Sequence, residues 1–445
     1  MLQLPVRVSV RHSQVVLLLL LLVIIWLWAG FKPHRHFPDW NPISSLTQSP
    51  DSSAPDVFDF PPLDSEAVRS ICADAEWNPN LVFTCDNSVG GIGNIRNSIL
   101  NCVRFAISAG GSLVEPKIVV RNESNTAAIR TDVRTDMGYM FEQDHFRESL
   151  RLSCPGLRLY NSIEEAQGGA FHEPIALIPE SLEAKDIPRT GLREPWKWRE
   201  HFYTWLGEHI PATADPETTV IVNLMRSYLV YPVYSDGRNF VTSFGRLLKF
   251  RADVRALATR TILRLAEKYS PGVIDVALPV LPDLFFGAHL RTEHDARMGW
   301  PAQDWVYSRY DTQSKLYIEQ AHNASLSPIY VASGDADEVT KFGGDAAAFN
   351  ITVTTKFALL EEEDAAAVAA LSWDQQGMVD FLVMTKASDF GGIGHSSFAW
   401  NVALWRHRFA TTTEHLKGPQ MLSDDLSQIY GQPKQYPEHA SCLWP

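Results

Sequence analysis

Seventeen consecutive uncharged, mostly apolar residues, Val15 to Phe31, constrain this chain before anything else, and Leu17 to Leu22 are six leucines in a row. Such a run has no polar face to turn to water. As a helix it spans roughly 25 Å, the short end of what crosses a bilayer. Arg7 and Arg11 precede it, and Lys32 and Arg35 follow, so the positive flanks nearly balance. A cleaved signal peptide needs small residues before the cut, and Trp26-Leu27-Trp28-Ala29-Gly30 is a poor match. The expectation is an uncleaved signal anchor at residues 15–31, with residues 1–14 cytoplasmic and the bulk of the chain in the secretory lumen. A short span suits a thin ER or Golgi membrane, crossed once in type II orientation.

Residues 32–70 read as a stem. Seven prolines fall between residues 32 and 66, among them Pro33, Pro38, Pro42, Pro50, Pro55 and the pair Pro61-Pro62, interleaved with serines and aspartates. Proline at that density stops helices and central strands. Three sequons, at Asn122, Asn323 and Asn350, become candidate glycan sites behind a membrane anchor. Of the five cysteines, Cys72 and Cys85 bracket a short segment and are the expected disulfide. Cys102 lies on an apolar helical face and reads as a buried thiol. Cys154 and Cys442 are a possible second bridge. No Cys/His pair has zinc spacing.

From Cys72 onward, short apolar runs alternate with longer helical stretches. Strands are expected at Leu81–Phe83, Leu113–Val120, Thr219–Leu224, Leu284–Leu290, Pro328–Ala332 and Val379–Met384. Helices are expected at Asn97–Ala109, Phe244–Tyr269 and Ser397–Arg406. That alternation predicts an α/β protein with largely parallel sheets. About 375 residues exceed one ordinary sheet domain, so two Rossmann-like domains facing a cleft are expected, at 71–260 and 261–445. The formal charge of −13 argues against a polyanion-binding surface, though not against one arginine set on a phosphate.

Four segments carry chemistry. Gly90-Gly91-Ile92-Gly93-Asn94-Ile95-Arg96 sits at a strand-to-helix turn, where glycines let backbone N–H groups approach an anion. Arg96 stands where a dinucleotide fingerprint needs Gly or Ala, so NAD or FAD is not expected. The turn's Gly91, Gly93, Asn94 and Arg96 are candidate ligand contacts. In Phe286-Gly287-Ala288-His289-Leu290-Arg291-Thr292-Glu293, alternation puts His289 and Arg291 on one face at a strand's carboxyl end. An arginine fork there suits a diphosphate, and Glu293 and Asp295 are carboxylates able to act as bases. Ile329 to Ala332 runs into Ser333-Gly334-Asp335-Ala336-Asp337. Asp335 could contact a nucleoside, or with Asp337 hold a metal ion in a metal-dependent transferase. Last, Phe390-Gly391-Gly392-Ile393-Gly394-His395-Ser396-Ser397-Phe398 reads as a glycine loop, two hydroxyls and a helix start, a seat for phosphate. It lacks the Gly-x-Ser-x-Gly spacing of a hydrolase nucleophile.

In this order, Gly-Gly-Ile-Gly-Asn, His-Leu-Arg, Tyr-Val-Ala-Ser-Gly-Asp and Ser-Ser-Phe resemble the GDP-fucose O-fucosyltransferase family and its α-1,6-fucosyltransferase relatives, over roughly Cys72 to Arg406. The resemblance implies a GT-B fold and an inverting, metal-independent transfer of fucose from GDP-fucose to a protein or glycan hydroxyl, with no cofactor. It implies that Arg291 binds the diphosphate and stabilises departing GDP. His289 and Asp335 would contact the nucleoside, while Ser396, Ser397 and Phe398 would hold phosphates and guanine. Gly91 to Asn94 would face donor and acceptor. Some relatives carry a glutamate base in the first loop, and here no carboxylate follows Asp86 in that loop. Glu293, Asp295 or a water relay are then the candidates. A degenerate, non-catalytic binding protein would keep the fold without the phosphate seat.

Overall fold

In the computed structural model, residues 1–51 and 52–445 separate as two units. The residues described lie in the second: 55–445, apart from 86, 122–128, 130, 132, 168–172, 184–189, 211–217, 271, 412–421 and 433–435. The expected tail, anchor, most of the stem and the sequon at Asn122 fall outside them. No described helix is long and apolar enough to cross a membrane.

Two five-stranded sheets, both wholly parallel, form the frame. The first has the order β5-β2-β1-β7-β6, built from β1 (Leu81–Thr84), β2 (Ser112–Val114), β5 (Leu159–Tyr160), β6 (Ile175–Leu177) and β7 (Val220–Leu224). A small antiparallel pair, β3 (Lys117–Val119) and β4 (Arg134–Asp136), sits apart from it. The second sheet has the order β10-β9-β8-β11-β12, from β8 (Phe286–His289), β9 (Ile329–Ala332), β10 (Val353–Thr354), β11 (Asp389–Ile393) and β12 (Ser427–Tyr430). Strands buried on both faces read as apolar runs, which is why the core strands were legible. Leu113–Val120 is not one strand. Pro116, between β2 and β3, has no N–H for a ladder, and the chain changes sheets there.

Seven helices position the site: α1 (Ile92–Ala109), α2 (Ala252–Tyr269), α3 (His294–Gly299), α4 (Tyr310–Asn323), α5 (Ala336–Ala347), α6 (Trp373–Thr385) and α7 (Ser397–His407). Gly110 closes α1 in the left-handed conformation at φ 71°, the cap only glycine adopts without strain. Two expectations are corrected here. Val379–Met384 is no strand but the last turns of α6. Met378 to Thr385 are all buried, so no solvent face imposes a 3.6-residue rhythm on the sequence. Ser372 and Gln375 mark its true start with a capping box. The strand is instead the glycine-rich β11. A Cβ on Gly391 would lie 2.8 Å from the Tyr317 ring and 2.9 Å from Phe286, so these glycines serve packing inside the sheet. The expected helix at Phe244–Tyr269 is broken, because Phe250 bridges to Phe141 before α2 begins.

One apolar core runs between the sheets and takes residues from both, from Phe83, Ile95 and Phe105 to Phe381, Trp400 and Trp444. α2 runs unbroken through residue 260, so a division there cuts a helix. The last residues return to the first half: Trp444 gives its backbone N–H to Asn97 at 2.8 Å and its indole N–H to Asn101 at 2.7 Å.

The disulfides also differ from expectation. Cys72 pairs with Cys154 and Cys85 with Cys102, at Cα separations of 5.4 and 6.0 Å, while Cys442 is a buried free thiol. The expected Cys72–Cys85 pair fails because each cysteine has a closer neighbour in space than in sequence. Cys85 directly follows β1 and Cys102 lies on α1, which packs against that strand. Cys102 is buried as expected, but bonded. Asn323 and Asn350 are both exposed.

Candidate active site

Strand order in the second sheet reverses between β8 and β11, and ligands of open α/β sheets bind at such carboxyl ends. Three loops meet there. β8 delivers His289 and then Arg291, β9 delivers Gly334 and Asp335, and β11 delivers His395, Ser396, Ser397 and Phe398.

Arg291 is the hub. Its Nη1 donates to Glu293 at 2.6 Å and to Asp295 at 2.8 Å, and its Nη2 donates to the second Asp295 oxygen at 2.6 Å. The Nε–H and the remaining Nη2–H, along the other edge of the guanidinium, stay available to a bidentate acceptor. Burial works against the arginine's charge, but Glu293 and Asp295 outweigh it and raise its pKa. For Asp295, burial raises and Arg291 and Arg121 lower, and the net effect is a carboxyl held below its ordinary value. Glu293 also accepts the Gly334 N–H at 2.8 Å, tying the β8 loop to the β9 loop. Both candidate bases are therefore spent on holding Arg291 and its surroundings.

Behind Arg291, Gln313 on α4 is wholly buried and holds the arginine backbone on both sides. It accepts the Arg291 N–H at 2.8 Å and donates to the Arg291 carbonyl at 3.1 Å and the Tyr307 carbonyl at 3.0 Å. Nothing in the sequence marks it, because a glutamine inside a helix is ordinary on any surface. The sequence reading also missed Arg121 from the first half, which pairs with Asp374 at the start of α6 and lies 4.5 Å over the Trp373 ring. That ring packs against Gly334, where a Cβ would sit 2.9 Å from its Nε1.

His289 is buried and neutral, its pKa pushed down to about 3 by burial and then by Arg291. Its ring lies 4.4 Å from that of Phe398, and its Nδ1 is 3.3 Å from the Ser396 hydroxyl. Ser396 caps α7 by accepting the Ala399 N–H, while Ser397 and Phe398 are half-buried at the helix start. Asp335 caps α5 by accepting the Glu338 N–H at 3.1 Å and stands 3.7 Å from Arg297. Asp337 is exposed in the first turn of that helix. No cluster of three or more His, Cys, Asp or Glu suited to a metal gathers among the described residues.

From the other half, Gly91 caps α1 and Gly90 takes φ 100°. A Cβ on Gly93 would lie 2.8 Å from the Ser397 backbone, so the starts of α1 and α7 touch. Asn94 is half-buried at that junction. The ligand contact expected of Arg96 is replaced by a structural one. Its guanidinium donates to Asn401 at 3.1 Å and to the carbonyls of Trp444 at 2.6 Å and Pro445 at 2.9 Å. It is 7% exposed and sits on the inner side of α1, where the returning chain end needs donors.

A family described as GDP-fucose protein O-fucosyltransferase matches residues 81–408. No curated protein matches the sequence. Solved structures similar to the chain include POFUT1 in complex with GDP, at 12% identity over 80% of this chain and 100% of that one, with a TM-score of 0.44. Arabidopsis thaliana FUT1, a mutant form with GDP, is similar at 12% identity over 77% of this chain and 71% of that one, TM-score 0.40. NodZ α-1,6-fucosyltransferase soaked with GDP-fucose is similar at 14% identity over 74% and 92%, TM-score 0.36.

Proposed function

The chain belongs to the GDP-fucose protein O-fucosyltransferase family and is a glycosyltransferase, and from that premise we propose that it moves fucose from GDP-fucose to a hydroxyl of a protein or glycan acceptor, with inversion and without a metal ion. The observation that carries the proposal is Arg291: a half-buried, fully charged guanidinium at the strand carboxyl ends, fixed by two carboxylates with one edge left for a diphosphate. The arrangement of two wholly parallel five-stranded sheets is read as GT-B.

In this reading the acceptor oxygen attacks the anomeric carbon from the face opposite GDP. The anomeric carbon–phosphate oxygen bond breaks, and its electron pair moves to the diphosphate. Arg291 and the N–H groups at the start of α7 meet the charge that grows there, already oriented, so little reorganisation is needed. Phe398, against neutral His289, offers an aromatic face for the base of the nucleotide. Glu293 and Asp295 act as clamps on the arginine. The acceptor's proton then leaves through water, because a carboxyl held as low as Asp295 is a weak base.

The proposed setting is the lumen of the ER or Golgi, behind a type II membrane anchor at residues 15–31. Supporting it are the apolar run, two disulfides of the kind that persist in oxidising compartments, and exposed sequons at Asn323 and Asn350. A thermal-shift screen of the protein with GDP, GDP-fucose and GDP-mannose, with and without EDTA, tests the donor. Stabilisation by GDP and GDP-fucose that EDTA leaves unchanged is expected. No stabilisation by any of the three would overturn the donor assignment.

A further inference from the structure

His395 stands between Gly394 and Ser396, just past the end of β11, and the donor scheme above gives it no task. It is 6% exposed, and its Nε2 is shut from solvent with no hydrogen-bond partner. A buried polar atom left unpaired destabilises the fold, and such atoms in folded proteins call for a reason. The walls around this one are aromatic. The Trp300 ring lies 4.7 Å from the imidazole at an interplanar angle of 29°, and Trp305 stands edge-on at 6.5 Å. Trp300 is steadied by its own N–H, donated to the Tyr436 hydroxyl at 2.6 Å. The Tyr436 ring in turn lies 6.0 Å from that of Trp305. Burial first, then the charge of Arg291, lowers the pKa of His395 to about 3, so the ring is neutral and lies within the field of the site arginine.

We propose that His395 and Trp300 form the subsite for the donor's hexose, with a ring hydroxyl hydrogen-bonded to His395 Nε2 and the apolar face of the sugar against the indole. The inference rests on the donor reading above and adds a sugar-discriminating contact to it. In a nucleoside diphosphate sugar the hexose hangs directly on the second phosphate. If Arg291 holds the diphosphate, the hexose must fall close to the loop after β11, which carries His395 next to Ser396, whose hydroxyl lies 3.3 Å from His289 Nδ1. Apolar walls with one buried polar atom are what orient a small ligand in such pockets. A 6-deoxyhexose, with a methyl group in place of one hydroxyl, suits indole walls better than a fully hydroxylated sugar does. Access requires Trp300 to turn off the imidazole. It is half-buried and lies just past α3, a helix of six residues whose Arg297 reaches Asp335 and Glu338 only at 3.7 and 3.6 Å.

The test is His395→Phe in the full chain, with GDP and GDP-fucose titrated separately and the melting temperature recorded without ligand. Phenylalanine keeps a ring under Trp300 and removes the nitrogen. The expected result is unchanged GDP affinity, a GDP-fucose to GDP Kd ratio raised about tenfold, the scale of one hydrogen bond, and a melting temperature that holds or rises because the unpaired atom is gone. A ratio equal to that of the parent would overturn the subsite, and a lower melting temperature with an unmoved ratio would reduce His395 to a structural role. Failure of the parent protein to bind GDP at all would instead overturn the donor reading beneath it.

Discussion

Replacing Gln313 with leucine tests whether the arginine works because its backbone is held still. The side chains are similar in size, so the change leaves little cavity. It does strip three hydrogen bonds from a site with no exposure: one from the Arg291 N–H, one to the Arg291 carbonyl and one to the Tyr307 carbonyl. At about 1 kcal/mol or more for each backbone group left buried without a partner, the loss is at least ~3 kcal/mol. That is a large part of a domain's usual 5–15 kcal/mol, though not enough to unfold most proteins of this size. The arginine should also drift, and a displacement of about 1 Å at a catalytic group costs on the order of 10²-fold in rate. Urea denaturation read by fluorescence gives the first number, and fucose transfer from GDP-fucose at saturating donor gives the second. Gln313→Glu separates the two halves of the clasp. It still accepts the Arg291 N–H but turns an oxygen toward both carbonyls, so its stability should recover partly at acid pH, where the carboxyl regains a proton. A Gln313→Leu protein that unfolds within about 0.5 kcal/mol of the parent and turns over at the parental rate would refute the reasoning.

The other predictions are shorter. Arg291→Lys should lower kcat on the order of 10²–10³-fold and weaken GDP binding, because an ammonium cannot offer a two-point edge to the diphosphate; parental kinetics would remove Arg291 from its role. Gly93→Ala should cost about 1–3 kcal/mol, since the new methyl meets Ser397 backbone that cannot swing aside, and chemical denaturation measures it. His289 and His395 are both neutral in the fold, with pKa values near 3 against 6.5 for a free imidazole. Below pH 6.5 the unfolded chain binds protons that the folded chain refuses, so stability is full above that pH and falls as pH drops toward 3. Between pH 7 and 5 each histidine should cost about 2 kcal/mol, and a flat stability profile there would show that they charge in place. By loop length alone, replacing Cys72 and Cys154 with alanine should cost about 4.5 kcal/mol and replacing Cys85 and Cys102 about 3 kcal/mol, measured by denaturation of the paired variants.

The sequence carried the alternation of strands and helices, the carboxyl-end placement of Arg291 and the serine pair at the start of α7. It did so because parallel strands buried on both faces stand out as apolar runs and helix starts carry their capping residues. Several of its errors come from burial. α6 looked like a strand because every face of it is covered. β11 looked like a loop because Gly391 and Gly392 make room for Tyr317, Phe286 and Ala399. Arg96 looked like a ligand contact because a charge beside a glycine turn usually faces solvent, whereas this one meets the returning chain end. The disulfide partners could not be read because Cys72 and Cys154 stand 82 residues apart and meet only in the fold. Gln313, Arg121 and Trp300 carry no local signature, and their importance lies in what other segments bring to them.

The core shared by the two sheets bears on how the protein comes apart. Phe83 and Phe105 on one side, and Phe381, Phe390 and Trp400 on the other, belong to a single buried cluster. Neither sheet can open without uncovering the other's apolar face. Calorimetry of the folded part should therefore show one endotherm, with the van't Hoff and measured enthalpies in a ratio of about 1, where two independent lobes would melt in sequence. A protein built this way has no half-folded resting state: an injury at either sheet is felt as loss of the whole.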